Sequence, residues 1–197
     1  MDDPLVTDDA RGLVADLAAH GHGVATAESL TAGLLAATLA GVPGASAVLR
    51  GGLVTYTVET KIALAAVPPE VLDAVGPVAA RTARALAVGA RRRCAATWGV
   101  GLTGVAGPEP HGGHPVGTVF VGLAGPRGGG PDGDAVDAED GEDGEDGEHV
   151  EVVELHLTGS RWDIRAGAVA EAIARLRVRV RGFTGEMPGG GNHHAGG

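Results

Sequence analysis

Fourteen of the fifteen basic residues in this 197-residue chain are arginine. The exception is Lys61, five residues after the only tyrosine, Tyr56. Both basic types serve as solvated surface charges, but only lysine can give up its proton inside a protein. The count points to a chemical role for Lys61, against the alternative that one lysine falls by chance in an arginine-biased chain. The second candidate is Ser29, within V-A-T-A-E-S-L-T-A-G-L-L (Val24 to Leu35). The first half of that stretch is short, apolar and partly β-branched, which suits a buried strand. Thr31 to Leu39 is rich in Ala and Leu, which suits a helix. A sharp strand-to-helix turn would set Glu28, Ser29 and Thr31 at the carboxyl edge of a sheet, with Gly33 just inside the helix. It would also aim free N–H groups and the positive end of a helix dipole at one spot. An anion or a developing oxyanion would be held there beside Ser29. The plainer alternative is that Ser29 or Thr31 caps the helix.

These residues need elements to position them. Asp8 or Asp9 can cap a first helix to about Ala19, with Leu13, Val14, Leu17 and Ala18 on one face. His20-Gly21-His22-Gly23 ends it as a solvated turn. Ser46 to Thr57 reads as a strand kinked at Gly51-Gly52, delivering Tyr56 to its end. Thr60 can cap a short helix carrying Lys61, and Pro68-Pro69 stops that pattern. Gly76-Pro77 opens a long helix to about Arg93, where three arginines suit a solvated C-terminal end. Ala96 to Leu102 is a buried strand that exits through T-G-V-A-G-P, Thr103 to Pro108. This exit lets backbone approach a ligand closely, although a plain turn is the competing reading. It matches neither G-x-G-x-x-G nor a P-loop. His111 and His114 flank Gly-Gly in the loop that follows; they could reach a site, against the plainer reading of a mobile surface. Pro115 to Ala124 and Val150 to Leu157 pair as a hairpin. A last helix enters at Thr158-Gly159-Ser160 with Ile164, Ala168, Ala172, Ile173, Leu176 and Val180 on its apolar face. Arg161 and Arg165 in its first turns oppose the helix dipole, which invites either anion contact or an exposed salt bridge.

Composition excludes several classes. The net charge of −10 is concentrated between Arg127 and His149, where ten acidic residues and one arginine leave the rest of the chain at −1. A body so nearly neutral gives no electrostatic footprint for nucleic acid. The acidic segment, 127–149, cannot bury a core and reads as a disordered insert, and 182–197, with His193-His194, as a Gly-rich tail. No apolar run reaches the roughly 18 residues of a membrane helix, and the N-terminus lacks a secretory pattern. The single cysteine, Cys94, gives no internal disulfide and no metal cluster. The expectation is one cytoplasmic domain over residues 1–181, with no metal, cofactor or membrane partner.

Four separated pieces share an order and spacing: A-E-S-L-T-A-G (Ala27 to Gly33), G-G-L-V-T-Y-x4-K (Gly51 to Lys61), G-L-T-G-V-A-G-P (Gly101 to Pro108) and P-V-G-T-V (Pro115 to Val119). A fifth, G-S-R-x-x-I-R, runs from Gly159 to Arg165. Over roughly residues 7 to 180 the chain resembles the CinA C-terminal domain family, the bacterial nicotinamide-nucleotide amidohydrolases. The resemblance implies a three-layer α/β/α sandwich with a mixed sheet, often a homodimer. It implies conversion of nicotinamide mononucleotide to nicotinate mononucleotide and ammonia. The family's serine, tyrosine and lysine fall on Ser29, Tyr56 and Lys61. Two departures stand out. The family's Cys-Thr-Gly-Gly after the serine is Leu30-Thr31-Ala32-Gly33 here. Its Ser-Asn after the tyrosine is Thr57-Val58, which removes a side-chain amide near the site.

On this resemblance Ser29 is the nucleophile and Lys61 its base, with Tyr56 relaying or steadying the proton. The substrate would meet Glu28, Leu30, Thr31, Gly33, Thr103, Gly104 and Gly107, with backbone N–H groups at Leu30 and Thr31, or in the Thr103 to Gly107 turn, receiving the oxyanion. Thr31, Thr103, Arg161 and Arg165 are candidates for the nucleotide phosphate. The competing function is a non-catalytic module of the same fold that binds a nucleotide and regulates or bridges a partner.

Overall fold

Alternation along Val24–Glu28 (β1) sets the layering. Val24 joins one apolar cluster, while Ala25 and Ala27 join another on the opposite face. The computed structural model describes residues 3–126 and 148–183. In it β1 lies between Leu49–Val54 (β2) and Trp98–Gly104 (β3), parallel to both. Thr118–Pro126 (β4) and Glu148–His156 (β5) continue the sheet antiparallel, in the order β2-β1-β3-β4-β5. On one face pack Asp8–Ala19 (α1), Leu34–Ala40 (α2) and Arg161–Gly182 (α6). On the other pack Val58–Ala65 (α3), Pro69–Val75 (α4) and Ala80–Arg93 (α5). The result is a three-layer α/β/α sandwich on a mixed sheet.

With so few aromatics, the second face is closed by small residues. A Cβ at Gly99 would meet the carbonyl of Ala87, and one at Gly101 or Gly122 that of Ala83. The missing side chains let the α5 backbone lie directly on the strands that carry the site.

Several boundaries differ from the sequence expectation, each for a local reason. Thr7, one residue before the aspartates, caps α1 by accepting from the Ala10 N–H at 3.1 Å. Strand β2 is shorter than Ser46 to Thr57, because Ala45–Ala47 forms a 3-10 turn and Thr57 is taken as the cap of α3. Its irregularity falls at Arg50, which is skipped in the register with β1, one residue before the glycine pair. Thr60 completes the Thr57 capping box rather than capping the helix itself. Helix α3 ends at Ala65, ahead of Pro68-Pro69 as expected, but Pro69 also starts α4, since proline at the first helical position loses no hydrogen bond. Helix α5 starts at Ala80, three residues after Pro77.

Two larger corrections concern charge and aromatics. Glu148, assigned to the disordered insert, opens β5 and is buried, with Arg91 Nη1 at 2.7 Å and Arg92 Nη2 at 3.3 Å. The arginine run is therefore no merely solvated helix end. The remainder of the insert, 127–147, and most of the tail lie outside the described residues, but α6 reaches Gly182 and Phe183 is buried.

His22 is likewise no solvated turn residue. It is 2% exposed, its Nδ1 accepts from Trp98 Nε1 at 3.1 Å, and its ring meets Phe183 edge-on. Burial, helped by His20, holds its pKa below the ordinary 6.5. The folded form therefore resists a proton that the unfolded chain accepts. Its contribution is full above pH 6.5 and is lost as the pH falls below it. Thermal unfolding followed between pH 7 and pH 5 is expected to show a drop in Tm that is reduced in His22→Gln, a side chain that cannot gain the charge.

Candidate active site

The three parallel strands end on the same side, and each end supplies part of one cavity. Ser29 follows β1 directly and is tied to its neighbour by its N–H, which donates to the Leu102 carbonyl at 2.8 Å. Past the end of β2, the Thr55 N–H donates to the Glu28 carbonyl at 2.8 Å, which places Thr55 to Thr57 beside the serine. Thr57 then starts α3, whose first turn carries Lys61 inward. The Lys61 amine is 1% exposed and donates to Ser29 Oγ at 3.0 Å and to the Thr55 carbonyl at 2.8 Å. The β3 exit, Thr103 to Gly107, forms a further wall. Together these close around a cavity of about 390 Å³.

Lys61 has no carboxylate partner among the described residues, so no opposing charge offsets the cost of its own in this setting. Burial lowers its pKa from 10.5 to about 8. An amine so poised holds a useful neutral fraction near physiological pH, roughly one molecule in ten at pH 7. In the neutral form the 3.0 Å contact can reverse, the Ser29 hydroxyl donating to the amine's lone pair.

The cavity gathers most of the residues singled out in the sequence. Ser29, Leu30, Tyr56, Lys61, Thr103, Gly104, Gly107 and Arg161 all line it. Glu28, Thr31, Gly33 and Arg165 do not: the Thr31 side chain is buried with no hydrogen bond to its Oγ1 among the described residues, and the other three are engaged elsewhere. Glu28 is fully buried. Its carboxylate accepts from the Leu35 and Ala36 N–H groups at 3.0 and 2.8 Å and from Thr26 Oγ1 at 3.0 Å. The expected helix N-terminus is thus already occupied by an internal anion, and Glu28, not Ser29 or Thr31, caps it. Gly33 is the left-handed N-cap residue of α2, at φ 90°. Ala32 before it is also left-handed, at φ 51°, where the resembling family has glycine. Arg165 donates from Nε to the Leu30 carbonyl at 3.1 Å and from Nη2 to the Thr31 carbonyl at 2.8 Å. It braces the turn that presents Ser29. Arg165→Ala removes both donors, and a roughly ten- to hundredfold fall in kcat with Ser29 still chemically present is the expected outcome. Arg165→Lys, which reaches one carbonyl at most, is expected to fall between the two in a steady-state assay.

Arg161 sits at the mouth. It donates to the Gly107 carbonyl and, from Nη2, to the Tyr56 hydroxyl at 3.0 Å. Lys61 reaches Ser29 directly, and the Tyr56 oxygen is engaged by Arg161, so no relay through Tyr56 is required. The Thr103 hydroxyl donates to the Pro77 carbonyl at 2.6 Å, leaving it only acceptor capacity, which does not suit a phosphate. The N–H groups of Leu30, Ala106 and Gly107 donate to no described backbone or side-chain acceptor and belong to lining residues. They are among the lining N–H groups left without a described acceptor and so are candidates to receive a developing oxyanion.

Further residues complete the lining, of which the sequence pointed to Thr57-Val58 and left His111 open. Val58 and Thr57 follow Tyr56 into the wall, Pro77 and Val78 come from the segment before α5, and His111 lines the rim with Glu109. His111 is fixed by reciprocal backbone hydrogen bonds with His114, at 3.1 and 3.0 Å. The sequence left a place at the site open for His111 but could not decide it, because a loop's fold-back onto a cavity depends on contacts distant in the chain.

A serine and a buried lysine of lowered pKa at the carboxyl edge of a parallel sheet define a candidate acyl-transfer site on an α/β/α sandwich. Residues 7–136 match the family model of the CinA C-terminal domain. The chain is 46% identical to a "CinA-like protein" from Anaeromyxobacter sp. strain Fw109-5 over 172 residues, 86% of this chain and 36% of the relative. A second "CinA-like protein", from Frankia casuarinae, is 49% identical over 160 residues, 81% of this chain and 32% of the relative. Among solved structures, the competence/damage inducible protein CihA from Agrobacterium tumefaciens superposes with a TM-score of 0.74 at 30% identity, covering 92% of this chain and 98% of that one. A competence-damaged protein (CinA) superfamily protein from Klebsiella pneumoniae gives 0.74 at 26% identity, covering 88% and 96%. The chain belongs to the CinA C-terminal domain family. It spans about a third of the length of the curated relatives it matches. No described helix is long and apolar enough to cross a membrane.

Proposed function

We propose that this protein hydrolyses the carboxamide of nicotinamide mononucleotide, releasing ammonia and nicotinate mononucleotide. The observation that carries the reading is the 3.0 Å contact between Lys61 Nζ and Ser29 Oγ, with the amine buried and lacking a counter-ion. A buried lysine without a carboxylate is costly for a structural role, whereas a general base needs that setting.

In the proposed sequence neutral Lys61 takes the Ser29 hydroxyl proton as Oγ attacks the carboxamide carbon. The carbonyl oxygen becomes an oxyanion, received by the N–H groups of Leu30, Ala106 and Gly107. One such donor is worth roughly 3 kcal/mol. As the tetrahedral adduct collapses, the C–N bond breaks and Lys61 returns its proton to the leaving nitrogen, which departs as ammonia. Water then attacks the Ser29 ester, with Lys61 again accepting the proton. The C–Oγ bond breaks, Ser29 regains its hydrogen, and nicotinate mononucleotide leaves. The step uses neither metal nor redox cofactor. Arg161 at the mouth is the cation able to meet the phosphate, at the expense of its bonds to Tyr56 and Gly107.

A nucleotide-binding module without chemistry is the second reading. Val58 favours it, since it puts an apolar side chain on the cavity wall where the resembling family has an asparagine. Ammonia release from nicotinamide mononucleotide separates the two: the hydrolase produces it stoichiometrically with the nicotinate product, and the module binds the nucleotide and releases none. A cytoplasmic homodimer belongs to the same proposal, and sedimentation of the purified chain tests the dimer.

A further inference from the structure

A second groove shares no lining residue with the first. It runs along α5 beside the corner between α3 and α4, with a volume of about 350 Å³. Its floor is apolar, including Val71, Ala85 and Val88, and its rim carries four guanidinium groups, from Arg81, Arg84, Arg92 and Arg93. Arg81 and Arg93 make no ion pair among the described residues. Four cations from one helix over an apolar strip form a surface suited to an acidic chain.

The sequence holds one such chain. Residues 127–147 contain nine acidic side chains and one arginine, and from Glu139 the pattern E-D-G repeats three times before Glu148. Glu148 is the last member of that period and is described. It is held by Arg91 and by Arg92, itself a lining residue of the groove. The acidic segment therefore re-enters the sheet at the groove's edge, with its terminal glutamate already paired to the same helix. Its two ends are neighbours, since Pro126 pairs with Glu148 across β4 and β5. Reach is ample. Eleven residues of helix from Arg81 to Arg92 span about 16 Å, whereas ten residues of extended chain reach about 33 Å.

We infer that the arginine groove on α5 is the docking site of the chain's own acidic segment, residues 127–147, with the E-D-G glutamates taking the arginines as Glu148 does. Single exposed ion pairs contribute little, but a tethered segment acts at an effective concentration near millimolar, so weak pairs sum. The inference is independent of the chemistry assigned to Ser29 and Lys61.

Limited proteolysis of the full chain with elastase, which cuts after small residues such as Ala135, Val136 and Ala138, tests it. The expected result is slow cutting of the wild type at low salt and cutting about fivefold faster or more in R81E/R93E. The same acceleration is expected in a segment variant, D140N/E142Q/D143N/E145Q, and in the wild type at 0.5 M salt, where screening is strong. Circular dichroism checks that R81E/R93E stays folded, and the segment variant leaves every described residue intact. Equal cutting rates in all four samples overturn the proposal. Protection of the wild type that fades on dilution also overturns it, because the groove would then hold a second copy's segment.

Discussion

Ser29→Ala is expected to reduce ammonia release from nicotinamide mononucleotide by roughly 10⁴-fold or more, the scale on which loss of a serine nucleophile is felt. The effect should lie almost wholly in kcat. The only described hydrogen bond of the Ser29 side chain comes from Lys61, and Lys61 keeps its second acceptor, the Thr55 carbonyl. The turn itself is held by backbone and by Arg165, so the fold and the cavity should survive the change. Calorimetry should accordingly find nucleotide affinity within a few-fold of the wild type. A variant that still turns over at the wild-type rate would remove Ser29 from the mechanism. One that neither binds nor melts normally would show the residue to be structural.

Lys61→Met should abolish activity and yet stabilise the protein. The folded chain depresses the Lys61 pKa from 10.5 to about 8, and each unit corresponds to about 1.4 kcal/mol between charged and neutral forms. Below pH 8 the wild type carries that whole penalty, on the order of 3 kcal/mol, because both folded and unfolded chains hold the proton. Between pH 8 and 10.5 the unfolded chain binds more protons, so wild-type stability rises with pH, and above 10.5 the penalty is gone. Methionine matches the length of the apolar stem but leaves the Thr55 carbonyl unpartnered, which offsets part of the gain. A net gain of about 1–2 kcal/mol at pH 7, a Tm rise of a few degrees, is expected, with the advantage shrinking as the pH passes 8. The wild-type kcat/KM should rise with pH to a plateau, with an apparent pKa near 8. Lys61→Arg, permanently charged, should be inactive at every pH. An Arg variant with wild-type turnover would show that Lys61 acts only as a charge.

The two halves of this behaviour were not equally visible before the fold was known. The lone lysine near the lone tyrosine, and the apolar strand running into Ser29, could be read directly, because residue type and period 2 or 3.6 patterning are local properties. So could the apolar face of α6, whose six singled-out residues are all buried. Glu28 could not be assigned. Its neighbours in the chain made it look like a site residue, and only the folding back of α2 onto β1 gives its carboxylate two N–H groups to cap. His22 misled for the same reason: glycines on either side marked a turn, and the burial comes from Trp98 and Phe183, far away in sequence.

By itself, the sequence determined the order of strands and helices apart from α4, the acidic concentration between Arg127 and His149, and the identity of the serine and lysine. All follow from pattern, composition or motif. Only the tertiary structure decided that a hydroxyl and an amine 32 residues apart meet at 3.0 Å, that Arg161 and Arg165 serve as tethers at the site, and that Glu148 is buried against α5. Those outcomes depend on through-space distance and on exclusion of water, neither of which any stretch of chain possesses until the sheet is assembled.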